Sequence, residues 1–198
     1  MQSVLARFIL LLALNVLPPS AFVSSKILQA NDGHLAMPIL DYLAETEGTD
    51  KGRGYEETLG YGAYTGGPVV LTTLSINEID RLQTLMLQHP GNVWHSSAVG
   101  RYQIVRTTLR RLRKDLHLRG TERFDAALQD RLAQRLLELR GYREWKMGLI
   151  SDAAFQANLA LEWASWINPH TKEGAYRGQR SNASLAKQQA ALNAVRTR

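Results

Sequence analysis

A mostly α-helical (α+β) single domain, with a small glycine-rich β lobe inserted early, is the fold class that this sequence predicts. Three observations carry that expectation. Apolar residues recur at helical spacing over most of the chain from residue 37 onward. Residues 48–67 hold seven glycines together with Tyr55, Tyr61 and Tyr64, a composition that excludes a long helix and suits turns or a small hairpin. The run Val69-Val70-Leu71-Thr72-Thr73 follows at once and is the best strand candidate in the chain.

The first thirty residues differ from the rest. Arg7 precedes an apolar run over residues 8–17, and Pro18-Pro19-Ser20-Ala21 follows. A positive residue, a short apolar run and a helix-breaking stretch of small residues match a secretory signal. The run is shorter than the roughly 20 residues that a membrane-spanning helix needs. Residues 1–30 therefore read as a signal peptide, with a weak uncleaved anchor as the rival reading. Export, to the periplasm or the medium, is the expected localisation. Membrane contact is expected only through this leader.

The elements of the body, residues 37–198, come in order. Ile39, Leu40 and Leu43 predict a helix over residues 37–47, and Gly48 sits where a C-terminal cap is wanted. Ser75-Ile76-Asn77-Glu78 forms a capping box, and Ile76, Ile79, Leu82 and Met86 share the helical face behind it. His89-Pro90-Gly91-Asn92 ends that helix, and a loop carries Trp94 and His95. Leu109, Leu112 and Leu116 predict the next helix. Phe124, Leu128, Leu132, Leu136 and Leu139 predict another, closed by Gly141. Ser151 can cap a segment bearing Phe155, Leu159 and Trp163. A turn-rich stretch over residues 168–182 precedes a last helix with Leu185, Leu192 and Val195.

Composition limits the chemistry. Hydrophobic residues make up 44% and charged residues 21%, ordinary values for a chain with a real core. There is no cysteine, which excludes disulfides, thiol nucleophiles and cysteine-ligated metal sites. His34, His89, His95, His117 and His170 show no metal-binding spacing, and no cofactor or metal is expected. Neither a G-x-S-x-G elbow nor a phosphate loop is present. The net charge is +6, much of it in Arg106, Arg110, Arg111, Arg113, Lys114 and Arg119. That run reads first as a solvated helix face and second as an attractor of an anionic wall or membrane surface. Nucleic acid is not an expected partner of an exported chain, and a monomer is the default.

Carboxylates remain as the chemical actors, and Glu47 stands out by position. It lies at the end of an amphipathic helix, one residue before a glycine, where the chain leaves the helical core for the glycine-rich lobe. Burial beside the partly negative helix end would raise its pKa and keep it protonated near neutral pH. That is the state needed to donate to a glycosidic oxygen. On the residues alone, a solvated glutamate at a helix end is the commoner case.

A resemblance adds to this. Ala44-Glu45-Thr46-Glu47-Gly48-Thr49-Asp50, followed by Gly100-Arg101-Tyr102-Gln103, resembles the endolysins of lambda-type phages, lytic transglycosylases of the lysozyme-like superfamily. Ala127-Leu128-Gln129-Asp130, Trp163-Ala164-Ser165 and Tyr176-Arg177-Gly178-Gln179 are similar to later motifs of that family, in the same order. The stretch around residues 82–94 departs from the lambda pattern. The resemblance implies a lysozyme-like fold, with an active-site cleft between the helical part and the small lobe. It implies a peptidoglycan glycan strand as substrate, cleaved at the β-1,4 bond between MurNAc and GlcNAc. Glu47 matches the catalytic acid. Tyr102 and Gln103 match residues of the sugar site, one stacking or orienting Glu47 and the other hydrogen-bonding an acetamido group. Tyr176 and Gln179 are further candidates for glycan contact. Arg101 is expected to pair with a carboxylate such as Asp50, and Trp163 to sit in the core.

Two mechanisms stay open. A muramidase needs a second carboxylate, and Asp50, Glu56 and Glu57 are the acids near enough in sequence. A lytic transglycosylase needs none, because Glu47 then deprotonates the sugar's own C6 hydroxyl and a 1,6-anhydro end results. The resemblance favours the second. A wall-binding protein of the same shape without activity would be marked by loss of the acid, and Glu47 is present.

Overall fold

The computed structural model describes residues 36–172 and 183–197, all within one compact unit of residues 33–198. The leader read at residues 1–30 and the candidate contacts Tyr176 and Gln179 lie outside the described residues. Seven α-helices occur among the described residues: α1 (Met37–Thr46), α2 (Ile76–Gln88), α3 (Arg106–Asp115), α4 (Ala126–Leu139), α5 (Tyr142–Lys146), α6 (Asp152–Ala160) and α7 (Leu185–Arg196). No described helix is long and apolar enough to cross a membrane.

The helix starts follow side-chain chemistry. Ser75 and Glu78 close a reciprocal capping box at α2. Asp125, Ser151 and Ser184 accept the Leu128, Ala154 and Lys187 amides at α4, α6 and α7. Each such cap contributes about 1 kcal/mol by filling an orphan donor. Gly141 takes φ +94° between α4 and α5, a conformation that turns the chain sharply at little steric cost only for glycine.

The core gathers Ile39, Leu40 and Leu43 of α1, Leu132, Leu136 and Leu137 of α4, Phe155 and Leu159 of α6, and Leu192 and Val195 of α7. Trp145 stacks on Phe155 at 4.9 Å, and Trp166 meets the edge of Tyr42 at 5.3 Å. Trp163 is buried with them, as expected. The longest packed seam runs between α1 and α7. There the Tyr42 hydroxyl donates to Ser184 O at 3.2 Å and accepts from Ser184 N at 3.0 Å.

The glycine-rich region departs from expectation. Among the described residues it contains no named strand, only 3-10 turns at Gly54–Glu56, Leu59–Gly62 and Leu71–Thr73 and isolated bridges such as Thr58 to Val99. The run Val69-Val70-Leu71-Thr72-Thr73 is therefore not a strand. β-Branched residues favour a strand only where a neighbour offers a ladder. Here Glu56 captures both the Thr72 amide, at 3.1 Å, and the Thr72 hydroxyl, at 2.5 Å, and folds the run into a turn.

Candidate active site

The last turn of α1 fixes Glu47 from the backbone outward. Gly48 adopts φ +74°, its N–H reaches Glu45 O at 3.2 Å, and the Thr49 N–H reaches Ala44 O at 3.0 Å. These two bonds form the paired closure of a glycine-ended helix, with Glu47 as the C-terminal cap residue.

The Glu47 carboxyl is held by a neutral partner. Ser165 Oγ donates to Glu47 Oε1 at 2.6 Å, and Thr46 Oγ1 lies 3.1 Å from Ser165 Oγ. Desolvation raises the Glu47 pKa above the ordinary glutamate value, and the Ser165 hydrogen bond offsets part of that rise. Burial penalises the charged form, so the protonated acid is favoured further toward neutral pH than in solvent. A desolvated carboxyl hydrogen-bonded, among the described residues, to a neutral hydroxyl is suited to giving and regaining a proton.

The Gly100-Arg101-Tyr102-Gln103 turn packs against this helix end. Thr49 Oγ1 donates to Arg101 O at 2.7 Å, and the Trp163 indole N–H donates to Tyr102 O at 3.2 Å. Gly100 has φ +76°, and a Cβ there would stand 2.2 Å from Gln129 Oε1. Gln129 is fully buried and ties the turn to α4. Its Oε1 accepts the Arg101 N–H at 2.9 Å, and its Nε2 donates to Tyr55 O and Phe124 O at 3.0 and 2.9 Å. The sequence marks Gln129 and Asp130 only as part of a motif, and their anchoring role emerges from the fold.

Arg101 pairs with Asp41, at 2.6 Å, and not with Asp50. Asp41 lies on α1 itself, and an exposed loop residue such as Asp50 loses that competition to a carboxylate on a rigid helix. The guanidinium also donates to Tyr55 Oη at 3.0 Å and lies over the Tyr55 and Tyr102 rings. The Tyr55 and Tyr102 hydroxyls both donate to Asp130 Oδ1, at 2.8 and 2.6 Å. Tyr102 is thus buried, and desolvation first, then Asp130, push its phenol pKa up. Its ring supports the turn from beneath. Gln103 has φ +49° and turns its amide N–H back to Gly100 O at 3.0 Å.

The other candidate carboxylates have different surroundings. Glu57 is 4% exposed, and its two oxygens accept the Arg53 and Thr58 amides at 3.1 and 3.0 Å. Both Glu56 oxygens hold Thr72. Asp50 is exposed and accepts the Lys51 N–H at 2.9 Å. Arg110, Arg111 and Lys114 of the basic run lie on α3, where with Thr107 and Asp115 they line an open groove of about 620 Å³. Arg110 is paired there with Asp80 and Arg111 with Glu162. No group of three His, Asp or Glu side chains able to hold a metal occurs among the described residues.

Comparison with known proteins places the chain. No curated protein and no solved structure matches it. A family model described as Endolysin matches residues 37–192, which take in α1, the glycine-rich turns, the Gly100–Gln103 turn and most of α7. On that match the chain belongs to the endolysin family, and so to the enzymes that degrade peptidoglycan.

Proposed function

We propose that Glu47 is the catalytic acid and then the base of a lytic transglycosylase. It cleaves the β-1,4 bond between MurNAc and GlcNAc and leaves a 1,6-anhydro-MurNAc end. The observation that carries this reading is the setting of Glu47: a desolvated carboxyl, raised in pKa, whose hydrogen-bond partner among the described residues is a neutral serine. Protonated Glu47 donates to the leaving oxygen as the glycosidic bond breaks. The resulting carboxylate takes the proton of the C6 hydroxyl as that oxygen bonds to the anomeric carbon, so the proton count closes within one turnover. The nucleophile is part of the same sugar, and proximity replaces a second protein carboxylate.

The neighbouring acids support that choice. Both oxygens of Glu56 and of Glu57 accept hydrogen bonds from turn amides or the Thr72 hydroxyl, which supports a structural use of these two acids. Asp50 keeps the muramidase reading open, because it is exposed three residues beyond Glu47. Gln103, Tyr176 and Gln179 are proposed to contact the glycan, and Tyr102 to hold the turn that bears Gln103. Residues 1–30 are proposed as the export leader, testable by the N-terminal residue of the protein recovered outside the cytoplasm.

Mass spectrometry of muropeptides released from purified peptidoglycan tests the mechanism. Products lighter than hydrolysed ones by one water, absent with Glu47→Gln, are the expected result. Ordinary reducing ends, lost in Asp50→Asn, would replace this reading with a muramidase.

A further inference from the structure

We propose that Trp94 and Tyr61 form an aromatic subsite for a sugar ring of the glycan strand, set apart from the bond that is cut, which holds the polymer on the enzyme. The inference rests on the glycan strand being the substrate and is the same for either end product.

Exposure singles these residues out. Trp145, Trp163 and Trp166 are buried, whereas Trp94 is 66% exposed beside Val93, which is 73% exposed. Tyr61 is 75% exposed. A large ring left in water forgoes the gain that burial gives the other three tryptophans.

Pinned backbone presents both rings. Asn92 is buried, and its Nδ2 donates to Met86 O at 2.7 Å and to Ser96 O at 2.8 Å, closing the loop on either side of Trp94. Beneath it, buried Gln83 of α2 donates to Ser97 O and Ile104 O at 2.9 and 2.8 Å. His95 and Tyr61 take φ +48° and +57°, left-handed conformations that cost a residue with a Cβ. The segment bearing Tyr61 is tied to the Trp94 loop twice. The Leu59 N–H donates to Ala98 O at 2.9 Å, and the Tyr64 ring meets His89 edge-on at 5.5 Å. Tyr61 and Trp94 lie between these two ties, one on each segment. The Thr58 to Val99 bridge is antiparallel, so the chain forward from Thr58 and back from Val99 leaves the Gly100–Gln103 turn in the same direction. Trp94 is six residues from Gly100, within about 20 Å of the turn by chain length alone. That turn packs on the helix end that carries Glu47. A strand several sugars long covers such a distance.

Charge decides the occupant. Residues 58–77 and 82–100 contain no Lys, Arg, Asp or Glu, although such residues make up 21% of the chain. Rings among uncharged polar groups suit a sugar, whose C–H face stacks on an aromatic and whose hydroxyl and acetamido groups are neutral. An anionic lipid surface calls for cations beside the apolar side chains, and these two segments supply none.

The test measures the affinity of the full Glu47→Gln chain, which lacks the proton donor, for glycan strands freed of peptide. Adding Trp94→Ala is expected to weaken binding about tenfold, and Trp94→Phe, which keeps a ring, by less. Adding Tyr61→Ala is expected to weaken it about threefold. In the active enzyme Trp94→Ala should raise KM on the same strands and move kcat far less, because the ring is remote from the bond that breaks. Undiminished strand binding by Trp94→Ala overturns the subsite. So does a fall in kcat at unchanged KM, which would make Trp94 a support of the catalytic turn. Binding to phosphatidylglycerol vesicles that Trp94→Ala abolishes, with strand binding intact, replaces the sugar by a membrane and also overturns it. A Glu47→Gln parent that binds no peptide-free strand removes the glycan reading itself, and the subsite falls with it.

Discussion

Two polar clusters lie on either side of Thr49, and they differ in how completely they are satisfied. In one, Arg101, Asp41, Tyr55, Tyr102 and Asp130 bind one another through ion pairs, phenol hydrogen bonds and ring contacts. In the other, Glu47 accepts from the Ser165 hydroxyl, which in turn lies against that of Thr46. The first arrangement locks its members, since its donors are met by the Asp41 and Asp130 carboxylates and by the Tyr55 hydroxyl. The second leaves the carboxyl able to change protonation at modest cost. The Thr49 hydroxyl, on Ala44 O and Arg101 O, ties the helix that carries Glu47 to the locked cluster.

Breaking each side should give opposite phenotypes. The largest expected effect is Glu47→Gln, which keeps the shape and an acceptor for Ser165 but cannot donate a proton. Turnover in a clearing assay should fall by orders of magnitude while the folded protein accumulates normally. Gly100→Ala comes next. It places a methyl against Gln129 and forces a positive φ on alanine, and together these should cost about 2–4 kcal/mol in denaturant unfolding. Tyr102→Phe removes one hydrogen bond to Asp130 and should cost about 1.5–3 kcal/mol, while activity per folded molecule changes little. Loss of turnover with unchanged stability in Tyr102→Phe would mean that the locked cluster does chemistry after all.

A smaller effect sharpens the same contrast through pH. The Glu47 pKa is raised in the folded state, so its contribution to stability is present below the usual glutamate pKa and is lost as pH rises through the raised value. Glu47→Gln should therefore have a Tm close to wild type in acid and a higher one at neutral to alkaline pH. Equal Tm values across that whole range would mean that the carboxyl is not desolvated. Least of all, Asp50→Asn should leave both stability and the anhydro product in place.

Much of the helical frame was readable because its signals are local. Ser75, Glu78, Ser151 and Gly141 act within one turn of themselves, and each does in the fold what its position in the sequence implies. The strand at Val69 to Thr73 was misread because a strand is a property of two segments, and no partner segment announces itself in a β-branched run. Pairing was the harder matter. Arg101 takes Asp41, 60 residues away, and Glu47 takes Ser165, 118 residues away. Glu47 itself could be nominated from its place before Gly48 and from motif order. Ser165 was visible only as the end of a motif, since a serine carries no mark of what it will face.

The seam between α1 and α7 has a consequence for when the enzyme becomes competent. The helix that ends in Glu47 is only 10 residues long, too short to persist by itself in water. Its apolar side is closed by a segment from the far end of the chain, sealed at Tyr42 and Ser184, 142 residues apart. A growing polypeptide on the ribosome lacks that closure until α7 has been made. Nascent or truncated chains that lack α7 therefore have no stable seat for Glu47.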